Sequence, residues 1–223
     1  MNVSEALATR ITCRDFLDTP VPPETVRKIL ENAKRAPSGG NLQPWHVWVL
    51  GGDRLKEFKK LIAEKLPQNP AGEGTEYDIY PKGLKEPYRS RRAQCGEDMY
   101  GTIGVAREDK TGRMMQFARN FDLFGAPVAL FFAMDRQMGY GQWADLGMFM
   151  QSIMLSAREE GLHTAPQEAW AIWYKTLGEF LNIPEDMMLF CGMGLGYMNE
   201  EAPINTLRTA RAPLEEFVVF DGI

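Results

Sequence analysis

The sequence predicts one domain, or one protomer whose core a partner completes, built from helices and apolar strands together. Three observations carry this reading. The chain has 223 residues, 44% of them hydrophobic and 25% charged, a globular composition large enough for a single core. Pro127–Met134 is an almost unbroken apolar run, the mark of a central strand buried on both faces. Gln142–Glu160 has a long helical pattern, with Leu146, Phe149, Met150, Ile153, Met154 and Ala157 on one broad face. That face is wider than one sheet surface needs, so part of it is expected to meet another subunit.

The remaining elements follow in order. Residues 2–10 read as a short helix capped by Asn2 or Ser4. A second helix opens across Thr19–Pro23, with Pro23 in its first turn. Val26, Ile29, Leu30, Ala33 and Ala36 hold a helical spacing until Pro37 stops it. Trp45–Leu50 reads as a strand closed by Gly51-Gly52, and a third helix carries Leu55, Phe58, Leu61 and Ile62. Residues 67–120 form an excursion dense in Pro, Gly and Tyr, with short helices at Arg89–Met99 and Thr111–Asn120. Excursions of this length tend to be lids or binding elements. Gly161 stops the long helix, Trp170–Leu181 is a further helix and Met187–Gly192 a last strand. The tail, 199–223, holds the strand-like Phe217-Val218-Val219-Phe220 and needs something to pack on, such as a partner protomer.

Composition and motifs exclude several classes. A net charge of −5 argues against general nucleic-acid binding. Cys13, Cys95 and Cys191 are scattered, with no CxxC pair, so no disulfide framework or zinc site is indicated and a reduced, cytoplasmic setting fits. The N-terminus lacks a secretory pattern, and no apolar run is long enough to span a membrane. Gly192-Met193-Gly194-Leu195-Gly196 looks dinucleotide-like, but Tyr197 stands where the third glycine belongs. The only histidines are His46, read as a core or loop residue, and His163, read as a helix-end cap. Neither has neighbours for a triad or a metal site. No catalytic acid, nucleophile or metal ligand is therefore assigned.

Four clusters remain. Arg10-Ile11-Thr12-Cys13-Arg14 places two guanidiniums and a hydroxyl on one face of an extended segment, which suits a phosphate and equally a solvated charged turn. The loop Ala36-Pro37-Ser38-Gly39-Gly40-Asn41-Leu42-Gln43-Pro44-Trp45 is rigid yet lets its backbone approach something closely. Ala165-Pro166-Gln167-Glu168-Ala169-Trp170 sets a polar pair between two helices. Leu207-Arg208-Thr209-Ala210-Arg211-Ala212-Pro213 is a second arginine pair, held near a proline.

In this order the clusters resemble the flavin-dependent nitroreductase family. Arg-x-Thr-x-Arg looks like its Arg-x-Ser-x-Arg, and the Ala36–Trp45 loop matches its most specific signature. Phe124-Gly125-Ala126-Pro127, Glu160-Gly161-Leu162 and Gly194-x-Gly-Tyr197 followed by Arg211-x-Pro213 also match. The excursion, with Tyr88, Tyr100-Gly101-x-x-Gly104, Arg107 and Phe121-x-x-Phe124, looks most like the 4-nitrobenzoate reductase branch. The resemblance implies an α+β sandwich over residues 1–223, with a mostly antiparallel sheet flanked by helices. It also implies a homodimer that exchanges the 199–223 tails and binds FMN at the interface.

Carried over by position, Arg10, Thr12 and Arg14 would meet the phosphate and ribityl chain. Arg211, with Arg208, would close the site. Pro37, Ser38, Gly39 and Asn41 would come from the other protomer. Pro166, Gln167, Glu168 and Ala169 would line the isoalloxazine edge, and Gln142 is a further contact. The implied activity is ping-pong reduction of nitroaromatic or quinone acceptors by NADH or NADPH. The alternatives are reductive dehalogenation of a small aromatic on the same flavin, and a non-reducing protein that stores, senses or degrades flavin. In the excursion, Tyr88, Tyr100, Phe117, Phe121 and Phe124 either cover the flavin and stack on a flat substrate or fold a satellite core. Arg89, Arg91, Arg92 or Arg119 either holds a substrate carboxylate or is solvated.

Overall fold

Seven α-helices and four strands alternate along residues 1–222, the part of the chain that the computed structural model describes. Helix α1 (Val3–Thr9) is capped by Asn2, whose Oδ1 accepts from the Glu5 N–H at 2.9 Å. Helix α2 (Pro23–Ala33) ends earlier than its apolar spacing predicts, because the chain turns at Lys34 and Ala36 packs outside the helix. Strand β1 (His46–Gly51) runs directly into α3 (Gly52–Lys65). The junction needs Gly52, whose φ is +53°. The excursion contributes α4 (Tyr88–Thr102) and α5 (Lys110–Ala118). Then come β2 (Val128–Asp135), α6 (Tyr140–Glu159), β3 (His163–Gln167), α7 (Tyr174–Leu181) and β4 (Met187–Gly196).

The four strands form one antiparallel sheet in the order β1-β2-β4-β3, with Val49 opposite Leu130, Leu130 opposite Met193, and Ala165 opposite Gly194. This is the expected α+β sandwich. The first seven residues of β2 are buried, as its apolar run requires. Their alternation feeds two cores. Ala129 and Phe131 face Phe58 of α3, Trp170, Trp173 and Leu177. Leu130, Phe132 and Met134 face Val26 and Ile29 of α2 and Leu146, Phe149 and Ile153 of α6.

The glycine-rich run explains itself here as a strand. Cys191, Met193 and Leu195 point into the α2/α6 core, while Gly192, Gly194 and Gly196 lie on the opposite face. A Cβ on Gly192 would sit 2.5 Å from Trp170 Cδ1, and one on Gly196 would sit 2.6 Å from Pro127 Cδ. The bare face lets Trp170, Pro127 and Phe16 pack directly on the sheet.

Four expectations need correction. β3 was not anticipated, because a five-residue strand with Pro166 inside carries no periodicity; His163 opens it and is not a helix cap. Trp170–Leu181 is not one helix: a 3₁₀ turn over Glu168–Trp173 precedes α7. His46 is exposed at the start of β1. Phe217–Phe220 forms no strand within this chain, and Val219 is 91% exposed.

Gly192→Ala is expected to destabilise the fold by about 1–3 kcal/mol, because Trp170 is fully buried and cannot retreat. Urea unfolding measures this. A loss below about 0.5 kcal/mol, the scale of a surface substitution, would contradict the close packing.

Candidate functional site

The Arg10–Arg14 segment lies extended along the outer edge of β3. Thr12 bridges Thr164 in parallel, and the Cys13 N–H donates to Thr164 O at 3.0 Å. The Arg14 N–H donates to Asn205 Oδ1 at 2.8 Å, and Asn205 Nδ2 donates to Asp15 O at 2.8 Å. One buried asparagine thus ties the N-terminal segment to the tail. Arg208 Nη1 donates to Asn205 O at 2.9 Å. Arg10 and Arg14 are half-buried, and Arg208 and Arg211 are exposed.

The electrostatics of this corner are unbalanced. Burial and then the neighbouring Arg211 guanidinium pull the Arg10 pKa below its ordinary value. Burial does the same to Arg14 and, at the end of α6, to Arg158. Among the described residues, Arg10, Arg14, Arg208 and Arg211 form no ion pair with a carboxylate, whereas nearby Arg119 holds Asp15 at 2.7 Å. Guanidiniums packed together without acids are a standing demand for an anion.

Pro166–Ala169 continues from the same edge. Gln167 lies about 10 Å along the strand from Thr164. It is buried; its Nε2 donates to Asn120 O at 2.8 Å, and its Oε1 accepts from Trp170 Nε1 at 3.4 Å. Burial raises the Glu168 carboxyl pKa. The structure therefore gathers Arg10, Thr12, Arg14, Arg208 and Arg211 at one corner, from which Pro166, Gln167, Glu168 and Ala169 run on along β3 and into the turn that follows.

The signature loop is not part of that corner in one chain. Gly39 N–H donates to both carboxylate oxygens of the buried Asp145, at 3.3 and 3.2 Å, and Ser38 Oγ accepts from the Gln43 N–H at 3.0 Å. These bonds hold a backbone with φ near +58° at Asn41 and +51° at Gln43, positions that cost free energy for residues with a Cβ. Trp45 anchors the loop by stacking on Phe149 at 4.7 Å. Asp145 is near the start of α6. Arg158, which meets Thr9 and His163, is near its end, about 20 Å away along the axis. Pro37, Ser38, Gly39 and Asn41 thus lie at the far end of α6 from the arginines. Gln142 is at the loop end too, where its Oε1 accepts from the Gly139 N–H at 3.1 Å.

In the excursion, Tyr88 is 60% exposed and Phe117 45%. Tyr100 lies beneath Arg113, whose guanidinium carbon is 4.3 Å from the ring centroid. Phe121 and Phe124 are corrected from substrate to core residues. Each is 3% exposed, and Phe121 meets the Trp170 and Trp173 rings edge-on. They flank the excursion in sequence, but the 3₁₀ segment that carries them, Arg119–Gly125, turns inward. The four arginines weighed as carboxylate holders are all engaged: Arg89 with Glu86, Arg91 with Glu216, Arg92 over Tyr80, and Arg119 with Asp15.

Asn205, Asp145 and Arg158 escaped the sequence reading. Each acts through hydrogen bonds that reach a residue distant in sequence, and no local pattern encodes that.

The molecule is thus an antiparallel α+β sandwich whose sheet edge carries four guanidiniums with no carboxylate partner among the described residues. The profile of the nitroreductase family matches residues 7–197, and the chain belongs to that family. A chloronitrobenzene nitroreductase from Comamonas testosteroni is 38% identical over 98% of this chain and 96% of its own. A 4-nitrobenzoate reductase from Pseudomonas putida is 35% identical over 97% of this chain and 94% of its own. Among solved structures, the FMN and NADPH-dependent nitroreductase NfnB from Sphigopyxis sp. strain HMH superposes with a TM-score of 0.96 at 44% identity, covering 100% of both chains. The FMN-dependent NfnB from Mycobacterium smegmatis, solved with NADPH, gives a TM-score of 0.92 at 25% identity over 99% of this chain and 100% of that one.

Because Arg211 is exposed and repels Arg10, Arg211→Ala is expected to leave the ligand-free protein within about 0.5 kcal/mol of its original stability. Inorganic phosphate should raise the melting temperature of the original protein more than that of the variant. Equal shifts would show that the corner does not bind anions.

Proposed function

We propose that this chain is an FMN-dependent oxidoreductase that uses NADH or NADPH to reduce nitroaromatic or quinone acceptors. The observation that carries the proposal is the set of four guanidiniums without acid partners on the edge of β3. A flavin phosphate carries nearly two negative charges and matches that donor set. The relatives named for FMN, NADPH and nitroaromatic reduction support the rest. Arg10, Thr12, Arg14, Arg208 and Arg211 hold the phosphate and ribityl chain, and the Pro166–Ala169 turn borders the ring. When bound, FMN supplies the redox chemistry, carrying two electrons from the nicotinamide to the acceptor. The chain's own work is to bind, orient and shield. The absence of a dinucleotide fold is no obstacle, since donor and acceptor take turns in one cleft.

The homodimer follows from the separation along α6. The signature loop reaches a flavin only if a partner presents it to the other protomer's arginine corner. Ala144, Gly147 and Met148 are exposed on α6 and Leu7 on α1, small and apolar positions suited to a second copy. The broad face foreseen for this role is instead filled by the chain's own core. A groove of 990 Å³ runs beside the free edge of β1, lined by Val21, Leu30, Val49 and Leu55. It suits the exposed Phe217–Phe220 segment of a partner's tail, which would add along that edge. The excursion 67–120 acts as the lid, with Tyr88, Tyr100 and Phe117 as its aromatic faces. The three free cysteines accord with a cytoplasmic setting.

The purified protein is expected to be yellow, and Arg211→Ala to weaken FMN binding by about 1.5–3 kcal/mol, the scale of a charge-assisted hydrogen bond. Initial-rate plots against donor and acceptor should be parallel; intersecting lines would overturn the shared-cleft reading.

A second expectation concerns the acceptor. With these four arginines already engaged, alanine variants of Arg89, Arg91, Arg92 and Arg119 should change kcat/KM for 4-nitrobenzoate and nitrobenzene alike. A loss of about 1.5–3 kcal/mol for nitrobenzoate alone, in any of them, would identify a carboxylate-binding arginine instead.

A further inference from the structure

We propose that His163 is a further ligand of the phosphate at the arginine corner, donating through its Nε2–H. The inference rests on the FMN reading above, and it starts from the tautomer. Arg158 Nη1 lies 3.2 Å from His163 Nδ1. A guanidinium has donors only, so Nδ1 must present its lone pair, and the proton of the uncharged ring must sit on Nε2. Arg158 is not free to leave: the same nitrogen donates to Leu162 O at 2.9 Å, and its Nε lies 3.4 Å from Thr9 Oγ1.

The Nε2–H has no hydrogen-bond partner among the described residues. It is also not sealed in the core, where the unpaired side-chain atoms belong to Gln116, Thr164 and Trp173. The residue as a whole is 8% exposed. Its surroundings fix where it lies. His163 adjoins Thr164, the residue bridged to Thr12, and its charged neighbours are Arg158 from α6 and Arg208 from the tail. Glu5 of α1 and Glu200 beyond β4 face Arg158 rather than the ring.

The imidazole is held uncharged. Burial, then Arg158 and Arg208, push its pKa down to about 4. Protonation would also turn Nδ1 into a donor facing the Arg158 donor. The chemistry suits the location. Arg10 and Arg211 already repel each other, and another cation would add to that repulsion before any ligand arrives. An uncharged N–H adds a hydrogen bond to a phosphate oxygen without adding charge.

The test compares ligands with and without phosphate. His163→Ala is expected to weaken FMN binding about tenfold, and His163→Gln, which keeps a side-chain N–H donor, to recover most of that loss. Riboflavin, with the same ring and no phosphate, should bind the original protein and both variants alike. An FMN affinity unchanged in His163→Ala would overturn the proposal. So would an equal loss for riboflavin, which would mean that the residue only shapes the fold. The chain has two histidines, so long-range ¹⁵N–¹H spectra of the unsubstituted protein, assigned with His163→Gln, report the tautomer directly. The proposal requires the Nε2–H form at neutral pH and a shift of that resonance on adding inorganic phosphate; an Nδ1–H form overturns it. If the unsubstituted protein binds no FMN, the FMN reading fails by itself. The phosphate-induced shift then decides His163 alone: its presence supports the proposal and its absence overturns it.

Discussion

The pairing of the Arg10–Arg14 segment with the edge of β3 is the contact on which the site depends. Two hydrogen bonds, from the Cys13 N–H to Thr164 O and from the Arg14 N–H to the Asn205 side chain, gather three segments that lie far apart in the chain; the second spans 191 residues. Without them, Arg10 and Arg14 would belong to a mobile N-terminal arm, and Arg208 and Arg211 to an untethered tail. With them, four positive charges are held together beside the edge of β3. The hydrogen bonds and the core residues around them, Ile11 and Cys13, supply the free energy that keeps like charges close.

The position of that corner follows from the sheet. β2 and β4 are covered on both faces, one by α2 and α6, the other by α3, α7 and the Trp170 turn. The three glycines of β4 bring Trp170 and Pro127 directly onto the sheet and leave no room for a ligand there. Charge repulsion between Arg10 and Arg211 is a local cost in stability, and the well-packed sandwich behind them tolerates it.

Much of the site was legible as residue types. The two arginine pairs, the Pro37–Asn41 loop and the Pro166–Ala169 turn each carry a local chemical signature. Helix α6 and strand β2 were equally plain, since burial imposes a period on a long element. β3 was not, because five residues with a proline inside carry no period. Phe121 and Phe124 were misplaced for a related reason: aromatic residues near a lid look the same whether they face a substrate or Trp170 and Trp173. Spacing reports which side of a helix a residue occupies, not which neighbour it meets.

The sequence by itself determined the alternation of helices and strands, the both-face burial of β2 and the types of residue that a phosphate needs. These are set by local periodicity and side-chain chemistry, which act over a few residues. Only the tertiary structure decided which of those residues share a place. It set the loop of Gly39 at one end of α6, on Asp145, and the arginines at the other, beside Arg158 and His163. It also decided that, among the described residues, those arginines pair with no carboxylate and the His163 Nε2 has no hydrogen-bond partner. These properties arise from contacts between distant segments, and they exist only once the chain has folded.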